Sequence, residues 1–390
     1  MANESTRREV LRGGLAVAGL AAFGIPDWAV PALAQDEVLV PFTDIPGGKF
    51  NPNPAPDRRM LDTQTITGLL TPRDQHFTIQ HYGHPKIDPA SFRLRIGGLV
   101  DKPQTLTVDD LRKMKSVEVV FGFECSGNRG PVQALSSCGR WTGVPLRTVL
   151  GAAGVKAQAR EFVFFGADRG QEDIPFRTTV TKDVQQQFGR SLPRDIALSN
   201  DPFIAYAMNG EPLSLHQGFP LRLIIPGWYG VCNVKWLSDI NAQEDPYLGK
   251  WQARDYRTLK GEMINGEMKW VETAIGRMHL KSFVARVTKT AGAHKVLGVV
   301  LHDGTPIKAV EVKVDDGPWQ AAAIDMQSAT QKYAWKLFTY NWKGATPGEH
   351  TLVSRVTDIT GRVQPTAEDL ANKKTFLEDN SQSPRKITIA

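Results

Sequence analysis

The chain has 390 residues, which is long enough for two or three domains and for substantial buried cores. With 41% hydrophobic and 23% charged residues, the composition is that of a globular protein and excludes a disordered or fibrous chain. The net charge is +6, but Lys and Arg are not clustered or interleaved with aromatic residues. The charge therefore favours an anionic small molecule or an acidic protein partner over nucleic acid.

The first 34 residues have the features of a twin-arginine export signal. Arg7 and Arg8 precede an apolar stretch at 13–25, and residues 31–34 form a small-residue cleavage site. The apolar stretch is shorter than the ~20 residues that a membrane span requires. We therefore expect a periplasmic protein without a membrane span. Because this route resembles that of enzymes loaded with a complex cofactor in the cytoplasm, we also expect a cofactor.

The three cysteines, Cys125, Cys138 and Cys232, exclude several kinds of centre. They form no CxxC pair, no haem attachment motif and no cluster-type spacing, so a disulfide framework, covalent haem and an iron–sulfur cluster of this chain are not expected. A single thiolate ligand remains compatible with the sequence. A disulfide between Cys138 and Cys232, or another pair, stays open because sequence does not show bridge geometry.

The region after the signal divides into three parts by pattern. Residues 35–75 are rich in Pro and predict an extended lead-in. In residues 76–265 a helix is predicted at 108–114 with Thr107 as its N-cap, and it lies among short strands, which indicates an α+β domain. The strands are predicted at 92–96, 117–123, 162–165, 203–208 and 221–225.

From about residue 275 the pattern changes to strands alone, separated by turn signals such as Asp-Asp-Gly-Pro at 315–318. This spacing predicts an immunoglobulin-like β-sandwich, which we assign to residues 266–390. The predicted strands are 279–288, 295–301, 309–314, 333–340 and 350–357.

A strand that ends at Cys125 carries the first chemical signal. The run 117–130 is apolar up to Phe123 and then turns through small and polar residues, which would present a thiolate in a crevice. A buried free cysteine is more often an inert core residue, so this motif alone does not decide the function.

Five motifs in this order resemble the sulfite oxidase family of molybdopterin enzymes, over residues 76 to 365. They are FECSGNR at 123–129, YAMNGEPL at 206–213, GFPLR at 218–222, VKWL at 234–237 and WQARDY at 251–256. The resemblance implies a molybdenum-binding α+β domain followed by an immunoglobulin-like domain that forms a homodimer. With no haem domain, it implies the bacterial branch, which gives its electrons to a separate periplasmic c-type cytochrome.

The same resemblance implies roles for individual residues. Cys125 would ligate molybdenum beside the pterin dithiolene, which suits a soft thiolate. Tyr256 would place its hydroxyl near the equatorial oxo group, and with Arg129 and Arg140 it would contact the substrate oxyanion. The implied contacts to the pterin or its phosphate are His81, Asp168, His216, Arg222, Asn233 and Lys235.

Three positions depart from the family pattern. Ile79 stands where the family commonly has Arg, and Gly130 replaces a second arginine. Gln217 stands where the family has His before Gly-Phe-Pro, with His216 one residue earlier. The substrate is therefore less firmly indicated than the cofactor.

The resemblance predicts molybdenum-dependent oxidation of sulfite to sulfate. The alternative is the sulfane dehydrogenase subunit of a thiosulfate-oxidising complex, which oxidises protein-bound sulfur. A methionine sulfoxide reductase is a weaker alternative because such chains lack the C-terminal sandwich. A non-catalytic adhesion protein would explain the sandwich but leave the motifs around Cys125 and Tyr256 unexplained.

Overall fold

The computed structural model describes residues 37–45, 50–53, 55, 58–290 and 293–390. The predicted export signal lies outside the described residues, as does part of the lead-in. Within this described portion, no helix is long and apolar enough to cross a membrane. All three cysteines are free, so no disulfide bridges Cys138 and Cys232.

Strands dominate the described part of the chain, and its helices are short. The strands are β1 Val38–Val40, β2 Leu94–Gly98, β3 Gln104–Leu106, β4 Val117–Glu124, β5 Ser136–Pro145, β6 Glu161–Phe176, β7 Thr179–Pro193, β8 Phe203–Met208, β9 Glu211–Pro212, β10 Arg222–Ile224, β11 Leu237–Gln243, β12 Arg257–Ile264, β13 Glu267–Ala274, β14 Lys281–Thr290, β15 Ala293–Leu301, β16 Ile307–Val314, β17 Gln320–Ala321, β18 Ala323–Ile324, β19 Lys336–Trp342, β20 Gly348–Asp358 and β21 Arg385–Ile389. The α-helices are α1 Val108–Lys113, α2 Leu146–Ala153, α3 Arg194–Ala197 and α4 Met326–Thr330. Single helical turns lie at Thr63–Thr65, Leu215–Gln217, Gly230–Cys232 and, in π-helical form, at Lys250–Arg254.

Two sheets and the short helices share the core of the first part of the chain. One sheet has the order β3-β2-β11-β6-β7, and only β2 and β11 in it are parallel. The other has the order β10-β8-β5-β4, with β9 paired to β8. Leu94 and Phe164 of the first sheet, Ile204 and Leu223 of the second and Val149 of α2 belong to one buried cluster. Burying apolar side chains from both sheets is the main favourable contribution to this arrangement.

The second part of the chain consists of two further sheets. Their orders are β1-β14-β15-β19-β18 and β17-β16-β20-β21. Val287 and Val296 of one sheet pack with Val312 and Val356 of the other in a common core. This agrees with the predicted change to strands, except that the short helix α4 lies between β18 and β19. The assignment to the immunoglobulin class, and a role in dimerisation, stay predictions.

The predicted helix after Thr107 is confirmed with its cap. The backbone N–H of Asp110 donates to Thr107 Oγ1 at 3.0 Å, and the Asp110 carboxylate accepts from the backbone N–H of Thr107 at 3.0 Å. This reciprocal pairing satisfies two donors at the helix start. The first part is nevertheless richer in β-structure than the α+β prediction implied. The segment predicted as a short strand at 162–165 is the start of β6, which continues in a long hairpin with β7.

The two parts meet along β4, the strand that leads to Cys125. The backbone N–H of Gly122 donates to the carbonyl of Tyr333 at 3.0 Å. A Cβ at Gly122 would lie 2.6 Å from the backbone nitrogen of Trp335, so only glycine allows this approach. The domain boundary predicted at residue 265 falls in the turn of the β12–β13 hairpin, whose strands follow Tyr256 directly.

Candidate active site

Cys125 follows the last residue of β4 and begins a tight turn. Its backbone N–H donates to the carbonyl of Leu135 at 2.9 Å, and its carbonyl accepts from the N–H of Asn128 at 2.9 Å. The N–H of Gly127 points at the sulfur, with an N to Sγ distance of 3.5 Å. Burial, followed in effect by the nearby charge of Glu124, raises the pKa of the Cys125 thiol to about 11. The thiol therefore keeps its proton until a metal displaces it.

The Cys125 side chain faces a cleft with a cavity volume of about 60 Å³. Seven of the ten predicted site residues line this cleft. They are His81, Cys125, Asp168, Arg222, Asn233, Lys235 and Tyr256. The structure thus gathers residues that are up to 175 positions apart in the chain, as in the contact of Tyr256 with His81.

Tyr256 and His81 share a hydrogen bond of 3.0 Å between Oη and Nε2. The His81 ring stacks on Trp251, with ring centroids 4.2 Å apart and planes inclined by 12°. Burial, and then the charges of Lys235 and Lys250, lower the pKa of His81 to about 4. Burial raises the pKa of Tyr256 above its ordinary value. At neutral pH the pair is a neutral imidazole and a protonated phenol.

Arg222 is a buried cation held by neutral groups. Its guanidinium donates to Gln217 Oε1 at 3.0 Å and to the carbonyl of Asn233 at 3.1 Å. It lies over the rings of Phe123 and Trp141, at 4.8 and 5.2 Å from their centroids. Burial lowers its pKa to about 9. A charge buried in this way is stabilised when an anionic ligand enters the cleft.

Lys235 enters the same cleft and is also surrounded by neutral oxygens. Its Nζ donates to Thr78 Oγ1 at 3.1 Å, to the Ile79 carbonyl at 3.0 Å and to Gln80 Oε1 at 3.1 Å. It lies 4.5 Å from the centroid of the Trp236 ring. Lys235 and Arg222 together give the cleft a positive wall.

Asp168 supplies the opposite charge and an unused acceptor. Its side chain is buried, and Oδ1 has no hydrogen-bond partner in the described structure. Burial raises its pKa to about 6, although Lys235 acts in the other direction. A Cβ at Gly166 would lie 2.3 Å from this oxygen, so glycine leaves room for the carboxylate. An orphaned acceptor of this kind calls for a ligand with N–H or O–H donors.

His216 and Asn233 act differently from the other predicted cofactor contacts. His216 does not line the cleft and instead pairs its Nδ1 with His84 Nε2 at 3.1 Å. The neighbouring Gln217 is the residue that reaches Arg222. Asn233 lines the cleft, but its amide accepts from the N–H of Ile225 at 2.7 Å and donates to the carbonyl of Tyr229 at 3.0 Å. The Asn233 side chain thus holds the loop between Ile225 and Tyr229, while its backbone carbonyl accepts from Arg222.

The two predicted arginines near the substrate occupy different places. Arg129 is exposed, with its guanidinium 4.8 Å from the Phe376 ring centroid at the mouth of the cleft. The structure does not bring Arg140 into the cleft, since it pairs with Glu118 at 3.5 Å. Side chains alternate between the two faces of a strand, and the next residue of β5, Trp141, is the one that faces Arg222.

The mouth itself contains residues that the sequence did not single out. Phe376 and Leu377, from the segment before β21, lie opposite Ile79 and Trp251 around Cys125. Trp251 was part of a recognised motif but received no role. Phe376 gave no sequence signal, because nothing local distinguishes it from an exposed loop residue.

Comparison with known proteins defines the class. Residues 81–251 match the family model of the oxidoreductase molybdopterin binding domain. The chain is 28% identical over 348 residues to mitochondrial sulfite oxidase of Mus musculus, covering 81% of this chain and 60% of that protein. It is 34% identical over 305 residues to NADH nitrate reductase of Volvox carteri, covering 70% and 34% respectively. Residues 81–251 are thus a molybdopterin-binding domain of the oxidoreductase type.

Its membership can be stated more narrowly: the chain belongs to the sulfite oxidase family, and its cofactor is molybdenum–molybdopterin. It spans about three fifths of the length of the mammalian sulfite oxidases that it matches. The crystal structure of the sulfane dehydrogenase SoxCD from Paracoccus pantotrophus has the same fold, with a TM-score of 0.72 and 22% identity. That match covers 100% of this chain and 96% of the other.

The residues of the cleft fit this cofactor. Cys125 offers a soft sulfur ligand at the end of β4. The buried Arg222 and the half-buried Lys235 suit the phosphate of the pterin, and the orphaned Asp168 oxygen suits the N–H groups of its ring. Asp168 Oδ1 has no hydrogen-bond partner in the described structure, and Arg222 and Lys235 donate to neutral acceptors, so an anionic ligand with N–H donors would complement all three.

Proposed function

We propose that this protein is a periplasmic, molybdenum-dependent sulfite dehydrogenase that passes electrons to an external c-type cytochrome. The observation that carries the proposal is the cleft that combines the Cys125 sulfur, the Tyr256–His81 pair and the cations Arg222 and Lys235. The overall reaction is sulfite plus water to sulfate, two protons and two electrons.

The residues around the cofactor have separable tasks. When bound, the molybdenum centre supplies oxygen-atom transfer coupled to a two-electron reduction. Cys125 holds the metal, and Tyr256 offers a fixed O–H to the oxygen atoms of the substrate. His81 is neutral and fixes the orientation of the phenol through their hydrogen bond. Trp251, stacked on His81, excludes water from one side of this pair.

The acceptor is proposed from the sequence. The 390 residues contain no CxxCH motif and only three cysteines, so we propose that a separate cytochrome collects the electrons. Contacts of such redox partners are small, below ~1,200 Å² in total. The positive net charge of this chain favours acidic patches on the cytochrome, and reduction should slow as salt rises. The twin-arginine pattern supports the periplasmic location, and the C-terminal sheets are proposed to form a homodimer.

A purified, cofactor-loaded protein tests the proposal. We expect molybdenum to bind, and sulfite to reduce ferricyanide or added cytochrome c without an intrinsic haem band. The Cys125→Ser protein, purified in parallel, is the control for adventitious metal. The proposal would be contradicted if the cofactor-loaded protein did not oxidise sulfite, or if it reduced oxygen efficiently without a partner protein.

The mouth of the cleft favours a second candidate, oxidation of a sulfane carried by another protein. The described residues that line the mouth are mainly apolar and include Ile79, Leu135, Trp251, Phe376 and Leu377. Asp255 adds a negative charge there, which offsets the positive charge of Arg129 beside Phe376. A free dianion gains little from such a surface, whereas an apolar arm that carries the sulfur could pack there. A higher kcat/KM for a protein-bound sulfane than for sulfite would favour this candidate, and the reverse would favour sulfite.

A further inference from the structure

A buried ion pair connects the turn of Cys125 to the C-terminal sheets. Lys281, the first residue of β14, lies 2.8 Å from Glu124 Oε1, measured from Nζ. The side chains of Lys281 and Glu124 are 1% and 2% exposed. Glu124 directly precedes Cys125, so the pair sits one residue from the proposed metal ligand.

The same ammonium group also holds the far end of the turn. Lys281 Nζ donates to the carbonyl of Asn128 at 2.8 Å. The Asn128 amide donates to Glu124 Oε1 at 3.1 Å, and its oxygen accepts from the N–H of Leu135 at 3.0 Å. Lys281 therefore fixes the residues on both sides of Cys125, from outside the domain that carries the cleft.

Stability alone does not account for this pair. Burying two charges is expensive, and apolar residues of similar volume often stabilise a protein equally well or better. A buried ionic network does, however, restrict the geometry, because Lys281 and Asn128 must both reach Glu124 Oε1, although Glu124 Oε2 has no hydrogen-bond partner in the described structure. In this chain that geometry is the backbone path through residues 124–128.

We propose that Lys281 is a positioning residue that sets the place of the Cys125 sulfur in the cleft. The C-terminal sheets thereby contribute to the metal site without touching the cofactor. Only the last step, from sulfur position to metal binding, rests on the proposed function.

The chain provides a matched control. Arg385 is also 1% exposed and pairs with Asp44, with Nε 3.0 Å from a carboxylate oxygen, in the same pair of sheets. The hydrogen bonds of this pair join Arg385 to Asp44 and Asp44 to the backbone of Lys386, and none of them goes to the turn of Cys125. Arg385→Met should therefore reproduce the general loss of a buried cation without loosening that turn.

The test compares Lys281→Met with Arg385→Met in the full chain prepared without cofactor. The probe is iodoacetamide at pH 8, with modification of each cysteine read by peptide mass spectrometry. Cys138 and Cys232 are buried, at 0% and 2% exposure, and serve as internal references. We expect Cys125 to react at least about tenfold faster in Lys281→Met than in the parent chain, since its turn opens, and within about twofold of the parent in Arg385→Met.

The double variant Glu124→Gln/Lys281→Met covers the case in which the single variant does not fold. It removes both buried charges, keeps an acceptor for Asn128 and still removes the donor to the Asn128 carbonyl, so faster modification of Cys125 is again expected. The proposal would be overturned if iodoacetamide modified Cys125 at the same rate in the parent and in the double variant. It would also be overturned if Arg385→Met increased that rate as much as Lys281→Met does.

A second measurement uses the cofactor-loaded protein. X-ray absorption at the molybdenum edge should show that the bond from molybdenum to the Cys125 sulfur is longer, or absent, in the Lys281 variants. An unchanged sulfur shell would overturn the positioning role. If the parent chain binds no molybdenum while the alkylation rates still differ as expected, the proposed function fails and the positioning of Cys125 stands.

Discussion

Replacing Asp168 by Asn should stabilise the chain prepared without its cofactor. The carboxylate is buried with one oxygen unpartnered, and its pKa is raised from 3.8 to about 6. Between these two pH values the unfolded chain has lost a proton that the folded chain retains. Stability is therefore unaffected below pH 3.8, falls as the pH rises and reaches its full loss above pH 6.

The size of the effect follows from the pKa difference. A difference of roughly two between the folded and unfolded values corresponds to about 3 kcal/mol of lost stability at pH 7.5, about 1.5 kcal/mol at pH 5 and about 0.5 kcal/mol at pH 4. An amide has no charge to lose and nearly the same shape. The gain in unfolding free energy from Asp168→Asn should therefore grow by about 2.5 kcal/mol from pH 4 to pH 7.5.

Urea denaturation at these three pH values measures the gain. Asp74→Asn, at an exposed carboxylate, is the control and should change the unfolding free energy by no more than about 0.5 kcal/mol at any pH. In the cofactor-loaded protein the advantage should disappear, because the ligand supplies donors to the carboxylate. A gain that does not depend on pH, or a loss at pH 7.5, would refute the argument.

Three further substitutions test the site. Cys125→Ser should abolish turnover while circular dichroism shows a retained fold, since a hydroxyl is a poor substitute for a thiolate ligand; normal turnover with full molybdenum content would contradict the ligand assignment. Tyr256→Phe should lower kcat/KM for sulfite, with a loss of ~2–4 kcal/mol in transition-state stabilisation, and leave the unfolding free energy in urea nearly unchanged. An unaltered kcat/KM would show that the Tyr256 hydroxyl takes no part in the reaction. Arg129→Ala should lower kcat/KM severalfold, whereas Arg140→Ala should change it less than about threefold, because Arg140 pairs with Glu118 outside the cleft. If steady-state assays show a larger effect on kcat/KM for Arg140→Ala than for Arg129→Ala, the substrate does not enter beside Arg129.

Local features of the fold follow closely from the sequence. The helix after Thr107 was predicted because its capping signal lies within four residues, and β4 because its apolar run ends at a turn. The long β6–β7 hairpin was missed beyond residue 165, since its outer half is exposed and polar and lacks an apolar pattern. Periodicity reports burial, and an exposed ribbon leaves little of it.

For the site, the sequence by itself determined the residue types and their order along the chain, including the thiol at the end of β4 and the motifs with Arg222, Lys235 and Tyr256. Only the tertiary structure decided which of them meet. It placed Gln217 rather than His216 on Arg222 and turned Arg140 away from the cleft.

The site also depends on contacts between distant segments, which no local sequence pattern predicts. The stacking of His81 on Trp251, the position of Phe376 beside Cys125 at the mouth and the link from Lys281 to Glu124 each join segments that are far apart in the chain. The physical reason is that such contacts depend on how whole sheets pack, whereas periodicity and capping depend only on neighbouring residues.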